Sequence, residues 1–138
     1  MSDLSDLLRP ESVVADLGVG SKKALLQSMA ALVAPQIGLD TRLVADRLGE
    51  RERLGSTGFG HGVAIPHGRM DGMTQIVGGF ARLAQPVGYQ AVDDLPVDLV
   101  FLLLSPPDAG VDHLKALAAI SRVVRRLPLR PRHAPRPS

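Results

Sequence analysis

The run Leu99-Val100-Phe101-Leu102-Leu103-Leu104, made wholly of large apolar residues, limits the fold more than any other feature of the chain. It is far too short for the roughly 20 residues that span a bilayer. No polar residue alternates within it, so neither side is built to face water. Such a run predicts a central β-strand covered on both faces, with helices supplying the cover. Pro96 and Pro106 punctuate its ends. A chain of 138 residues makes one domain. At that length it can bury about two-thirds of its unfolded surface without disulfide or structural metal. There is no cysteine, which excludes a disulfide framework and any thiolate site.

The rest of the chain supplies those layers. Residues 12–17, Ser-Val-Val-Ala-Asp-Leu, predict a strand. Ser21 reads as the N-cap of a helix through Ala34, with Leu25, Met29, Leu32 and Val33 at helical spacing and Pro35 and Gly38 ending it. Asp40 reads as the next N-cap, opening a helix with Leu43, Val44, Arg47 and Leu48 that runs toward Glu52. Residues 63–66 predict a short strand stopping at Pro66, and residues 76–83 a second one weakened by Gly78 and Gly79. Residues 86–94 read as loop or edge strand. Asp112 reads as the cap of a last helix, with Leu114, Leu117, Ala118 and Ile120 inward and its end near Arg126. Strands interleaved with helices define an α/β (α+β-like) single domain with a mixed β-sheet flanked by helices.

The charge needs dividing before it is interpreted. The net +2 includes six arginines within residues 122–138 and no acid there, so the other ten basic residues face all fourteen acidic ones. The body is acidic and only the tail is basic. With Phe59, Phe80, Phe101 and Tyr89 as the only aromatics, few platforms exist for stacking bases, and nucleic acid is not the expected partner. The first residues, Met-Ser-Asp-Leu-Ser-Asp, lack the basic-then-apolar layout of a signal peptide. A cytoplasmic protein without direct membrane insertion is expected.

Chemistry concentrates in residues 55–69, Gly-Ser-Thr-Gly-Phe-Gly-His-Gly-Val-Ala-Ile-Pro-His-Gly-Arg, where five glycines let the backbone approach a ligand. Gly55, Ser56, Thr57, Gly58, Gly60 and Gly62 read as an anion-tolerant loop, or alternatively as a series of tight turns. No Lys-Ser/Thr follows the glycines, so this is not a Walker loop. His67, at the end of the short strand, is a nucleophile in its neutral form at physiological pH. A turn histidine on the surface would look the same. His113, at a helix start, could donate to an anion or merely pack. Arg51 offers a fork suited to phosphate oxygens, although Glu50, Glu52 and Arg53 beside it fit a solvated helix end. His61 reads as loop filler and His133 belongs to the tail. The histidine spacings match no metal motif, so neither metal nor cofactor is expected.

These residues resemble a known family. Residues 55–69, with Glu50-Arg51-Glu52 before them and Asp112-His113-Leu114-Lys115-Ala116-Leu117 after, are similar to mannitol/fructose-type IIA domains of the bacterial phosphotransferase system, nearest the nitrogen-regulatory type. The likeness runs over about residues 4–125 and includes Leu8-Arg9-Pro10-Glu11 and Gly20-Ser21-Lys22-Lys23. It implies a mixed sheet flanked by helices and a phosphocarrier. His67 would take a phosphoryl group from the phosphohistidine of an HPr-like donor, supported by Arg51 and His113. Nitrogen-type relatives then act on protein partners in nitrogen and potassium metabolism. Transport-type relatives pass the group to a IIB domain.

The chain departs from that family at its end. Residues 1–126 read as the IIA domain, and residues 127–138 as an Arg/Pro-rich divergent or disordered tail with four prolines in twelve residues. Family members continue with an apolar helix instead. The tail's composition is that of a GC-rich gene read out of frame. A non-transferring binding module is the reading that follows if the altered end disables the site.

Overall fold

A computed structural model describes residues 7–91 and 93–126. The tail expected after Arg126 lies outside the described residues. In chain order the elements are β1 (Val13–Leu17), α1 (Lys22–Ile37), α2 (Thr41–Leu54), β2 (Gly58–Gly60), β3 (Val63–Ala64), β4 (His67–Arg69), β5 (Val77–Val87), β6 (Val97–Ser105) and α3 (Val111–Arg126). A short 3-10 turn, Pro10–Ser12, precedes β1. The strands form one mixed sheet in the order β1-β5-β6-β3-β2, with β4 also pairing β6. β6 is central, as its composition requires. It runs antiparallel to β5 and parallel to both β3 and β4.

Alternation along β6 divides the core in two. Val100, Leu102 and Leu104 face α1 and α2, where Leu25, Met29, Val33, Val44 and Leu48 complete a dry layer. Phe101 and Leu103 face the opposite way, toward Ala116, Ile120 and Val124 of α3. The domain is therefore a mixed sheet between helices, one α/β unit.

Several boundaries differ from the sequence reading. Pro35 lies inside α1 rather than ending it, and the stop comes at Gly38, whose φ of 68° is left-handed. A proline in the last turn removes only one hydrogen bond, and the Gly38 N–H still caps Ala34 O. β5 runs on to Val87 through Pro86, across an irregularity in its pairing with β6 that spares the ladder a donor there. Asp112 does not cap α3 but lies in its first turn, its N–H donating to Ala109 O. The buried face of α3 is His113, Ala116, Ile120 and Val124, while Leu114 is exposed. Leu43 of α2 is exposed as well.

Candidate active site

His67 does not end a strand; it begins β4. Pro66 interrupts the pairing rather than closing it, since Pro66 O accepts the Leu103 N–H at 3.0 Å and His67 then pairs with Leu103. Two residues on, Arg69 pairs with Ser105. Parallel partners share a face and alternate residues repeat it, so His67, Arg69, Leu103 and Ser105 all look toward α3. The first turn of α3 sets His113 over them, with the His67 and His113 rings 5.8 Å apart. The last turn of α2 brings Arg51 from the other side. A cavity of about 550 Å³ results, lined by Arg51, His67, Arg69 and His113 together with Leu54, Gly68 and the pair Arg47–Glu50, so that three arginines outweigh one carboxylate.

The geometry distinguishes the two nitrogens of His67. Nδ1 lies 2.7 Å from Ile65 O. A carbonyl can only accept, so Nδ1 holds the proton and Nε2 keeps its lone pair. Burial lowers the pKa of this ring below the usual imidazole value, partly offset by the Ile65 carbonyl, with the Arg51 guanidinium lowering it further. His67 is therefore held in the neutral, nucleophilic form. Burial also lowers His113, to about 4, with Arg69 and then His67 adding to the effect. Its Nδ1 lies 2.6 Å from Ser105 Oγ. Arg51 Nη1 donates to Gly55 O at 2.8 Å and Arg69 Nη1 to Pro107 O at 3.3 Å. Each guanidinium carries further N–H donors for an anion.

The glycine-rich stretch is placed differently from the anion loop expected of it. β2 and β3 form a hairpin whose turn, His61 and Gly62, has φ of 57° and 87°. A Cβ on Gly58 would come within 2.7 Å of Ala91 Cβ, so this glycine admits the 88–91 segment rather than a ligand. The Ser56 hydroxyl donates to Tyr89 O and accepts the Gly58 N–H. The Thr57 hydroxyl donates to Glu52 Oε2 and also meets Tyr89 OH at 3.0 Å. Neither Ser56 nor Thr57 lines the cavity that holds His67. Of the loop residues Gly55, Ser56, Thr57, Gly58, Gly60 and Gly62, Gly55 alone touches the site, through the Arg51 hydrogen bond.

Glu52 also corrects the sequence reading. It is no solvated end charge: its side chain is 6% exposed, 2.8 Å from Lys22 Nζ, and accepts the Thr57 N–H. Sequence reasoning passed over Arg69 and Ser105 too. The helical stripe His113, Ala116, Ile120 and Val124 is the signal in the sequence that places the histidine inward; nothing marks Ser105 beyond its place at the end of an apolar run. Among the described residues no group of three or more His, Asp or Glu could hold a metal ion. No described helix is long and apolar enough to cross a membrane.

A basic cavity around a neutral histidine, on a sheet of this topology, defines a class. Residues 6–128 match the family described as phosphoenolpyruvate-dependent sugar phosphotransferase system, EIIA 2, and the chain belongs to it. Members of that family are phosphotransfer components. Among its relatives is a nitrogen regulatory protein of Bradyrhizobium diazoefficiens, 50% identical over 122 residues, covering 88% of this chain and 80% of the relative. The crystal structure of nitrogen regulatory protein IIA-Ntr from Neisseria meningitidis superposes with a TM-score of 0.86 at 40% identity, covering 90% of this chain and 85% of that one. A fructose-specific EIIA component of Haloferax volcanii is 33% identical over 123 residues, 88% of this chain and 80% of its own.

Proposed function

We propose that this protein is a cytoplasmic phosphocarrier in which His67 Nε2 accepts a phosphoryl group from the phosphohistidine of an HPr-like protein. The observation that carries the reading is the Nδ1 bond to Ile65 O, which leaves Nε2 as the lone-pair nitrogen beside Arg51, Arg69 and His113. The Nε2 lone pair attacks phosphorus as the donor's N–P bond breaks, and the donor imidazole keeps the departing electron pair. Positive charge left on the His67 ring is stabilised through Nδ1–H by the Ile65 carbonyl. Positioning and charge stabilisation are most of what such a transfer requires. Arg51 and His113 hold the phosphoryl oxygens. Leu54, 85% exposed on the cavity rim, and Leu114, 62% exposed beside His113, offer an apolar margin for the donor protein.

The phosphorylation state of His67 then sets binding to regulatory protein targets in nitrogen and potassium metabolism. The nitrogen regulatory relatives support this reading, at the identities given above. The fructose-specific relative favours a second one, transfer onward to a IIB domain in sugar transport. Incubation with enzyme I, an HPr-like donor and phosphoenolpyruvate tests the shared step. Labelling is expected on His67 and lost in His67→Ala; labelling that survives His67→Ala refutes the assignment. Absence of labelling in the wild type supports a non-transferring binding module instead. Release of label to a IIB domain would favour transport.

A further inference from the structure

Ser105 is fully buried, and its hydroxyl lies 2.6 Å from His113 Nδ1. Neither partner can swing away. Ser105 closes β6 opposite Arg69, and its carbonyl takes the Met70 N–H at 2.9 Å. His113 is fixed on the inward face of α3 by Ala116, Ile120 and Val124 along the same stripe. Burial, the guanidinium of Arg69 and the neighbouring His67 all disfavour a charge on its ring. A neutral imidazole has only one N–H. If that proton sits on Nδ1, Nε2 turns a lone pair toward the cavity and repels an anion. If it sits on Nε2, the ring donates.

We propose that the Ser105 hydroxyl donates to His113 Nδ1 and holds the ring as the Nε2–H tautomer, so that a neutral His113 can donate to the phosphoryl group carried by His67. Ser105 is a positioning residue, acting only through His113. Both the tautomer and the role of the donated N–H rest on the phosphocarrier reading, because a serine hydroxyl can donate or accept at 2.6 Å and only the need to hold an anion selects donation.

Histidine-nitrogen NMR of the full chain at neutral pH reads the tautomer directly. In the wild type the His113 proton is expected on Nε2. Ser105→Ala should give a mixture of tautomers, and Ser105→Thr, which keeps the hydroxyl, should restore the wild-type pattern. Phosphoryl acceptance from the HPr-like donor should slow about three- to ten-fold in Ser105→Ala, as expected for partial loss of one hydrogen bond to a charged group. A proton on Nδ1 in the wild type overturns the inference. So does a tautomer unchanged by Ser105→Ala. If that variant fails to fold, the wild-type spectrum decides alone. Failure of the phosphocarrier reading would show separately, as a wild type that takes no label while its His113 tautomer is still readable.

Discussion

Replacing Glu52 with alanine should cost about 3 kcal/mol of stability, and the number follows from what the carboxylate touches. Glu52 pairs with Lys22 at 2.8 Å and accepts both the N–H and the hydroxyl of Thr57. Lys22 in turn donates to Tyr89 O at 3.3 Å and sits 4.4 Å over the Tyr89 ring. Breaking a fully buried ion pair from one side costs about 3–5 kcal/mol. Lys22 keeps 20% of its side chain exposed and can reach water, which brings its share below that range, to about 2 kcal/mol. Thr57, 8% exposed, is left with an N–H lacking its acceptor, adding about 1 kcal/mol or more. For a domain of this size each kcal/mol moves Tm by about 3–5 °C, so the variant should melt about 10–15 °C lower by circular dichroism. Glu52→Gln keeps the shape and an acceptor for the Thr57 N–H, and should lose about half as much. An alanine variant within about 1 kcal/mol of wild type would refute the argument that this cluster clamps α1, α2 and the hairpin together.

The remaining expectations concern the site and its frame. Arg51→Ala should slow phosphoryl acceptance about ten- to a hundred-fold, the worth of one charge-assisted contact, and a rate within about two-fold of wild type would remove Arg51 from the site. Because burial lowers the pKa of His67, acceptance should fall off on the acid side only below the usual imidazole pKa; a pH–rate profile that breaks at or above that value contradicts the lowered pKa. The folded chain holds His113 at about 4, so between an unfolded value near 6.5 and that point the unfolded chain binds more protons and stability falls as pH drops. Urea midpoints across that window should show the slope, and His113→Gln should flatten it. Gly58→Ala puts a Cβ 2.8 Å from Ala91 Cα, a backbone clash that should cost about 1–3 kcal/mol in denaturant unfolding. Gly88→Ala, with nothing within 4 Å, is the control and should cost little.

The parts of the fold legible in the sequence are those whose burial is written along one segment. β6 announces itself because both its faces are core, and α1 because Ser21 and Gly38 bracket an apolar stripe. β2 and β4 carry no such mark. Gly58-Phe59-Gly60 holds two residues of poor strand propensity, and His67-Gly68-Arg69 has no apolar alternation; both are strands because β3 and β6 supply their hydrogen bonds. Pro66 looked like a terminator for the same reason. Its missing N–H ends a local pattern, yet its carbonyl still takes the Leu103 N–H, and the pairing resumes one residue later.

The site was legible as a set of residue types and illegible as an arrangement. Arg51 and Glu52 are adjacent in the charge run Glu50-Arg51-Glu52-Arg53, and in a helix neighbours point about 100° apart. That angle sends Arg51 to the His67 cavity and Glu52 to Lys22 and Thr57, so one run serves two functions that no spacing rule separates. The glycines have duties in the fold that their number alone does not reveal: Gly58 is required by the approach of Ala91 and Gly62 by a turn with positive φ. What surrounds His67 instead comes from residues far from it in the chain, Arg51 from α2 and His113 from α3. The arrangement exists only once β4 has docked on β6, because that register alone places His67 beneath α3 and Ser105 within reach of His113. A mutation that loosens the β4–β6 pairing should therefore impair the site even when every side chain in it is intact.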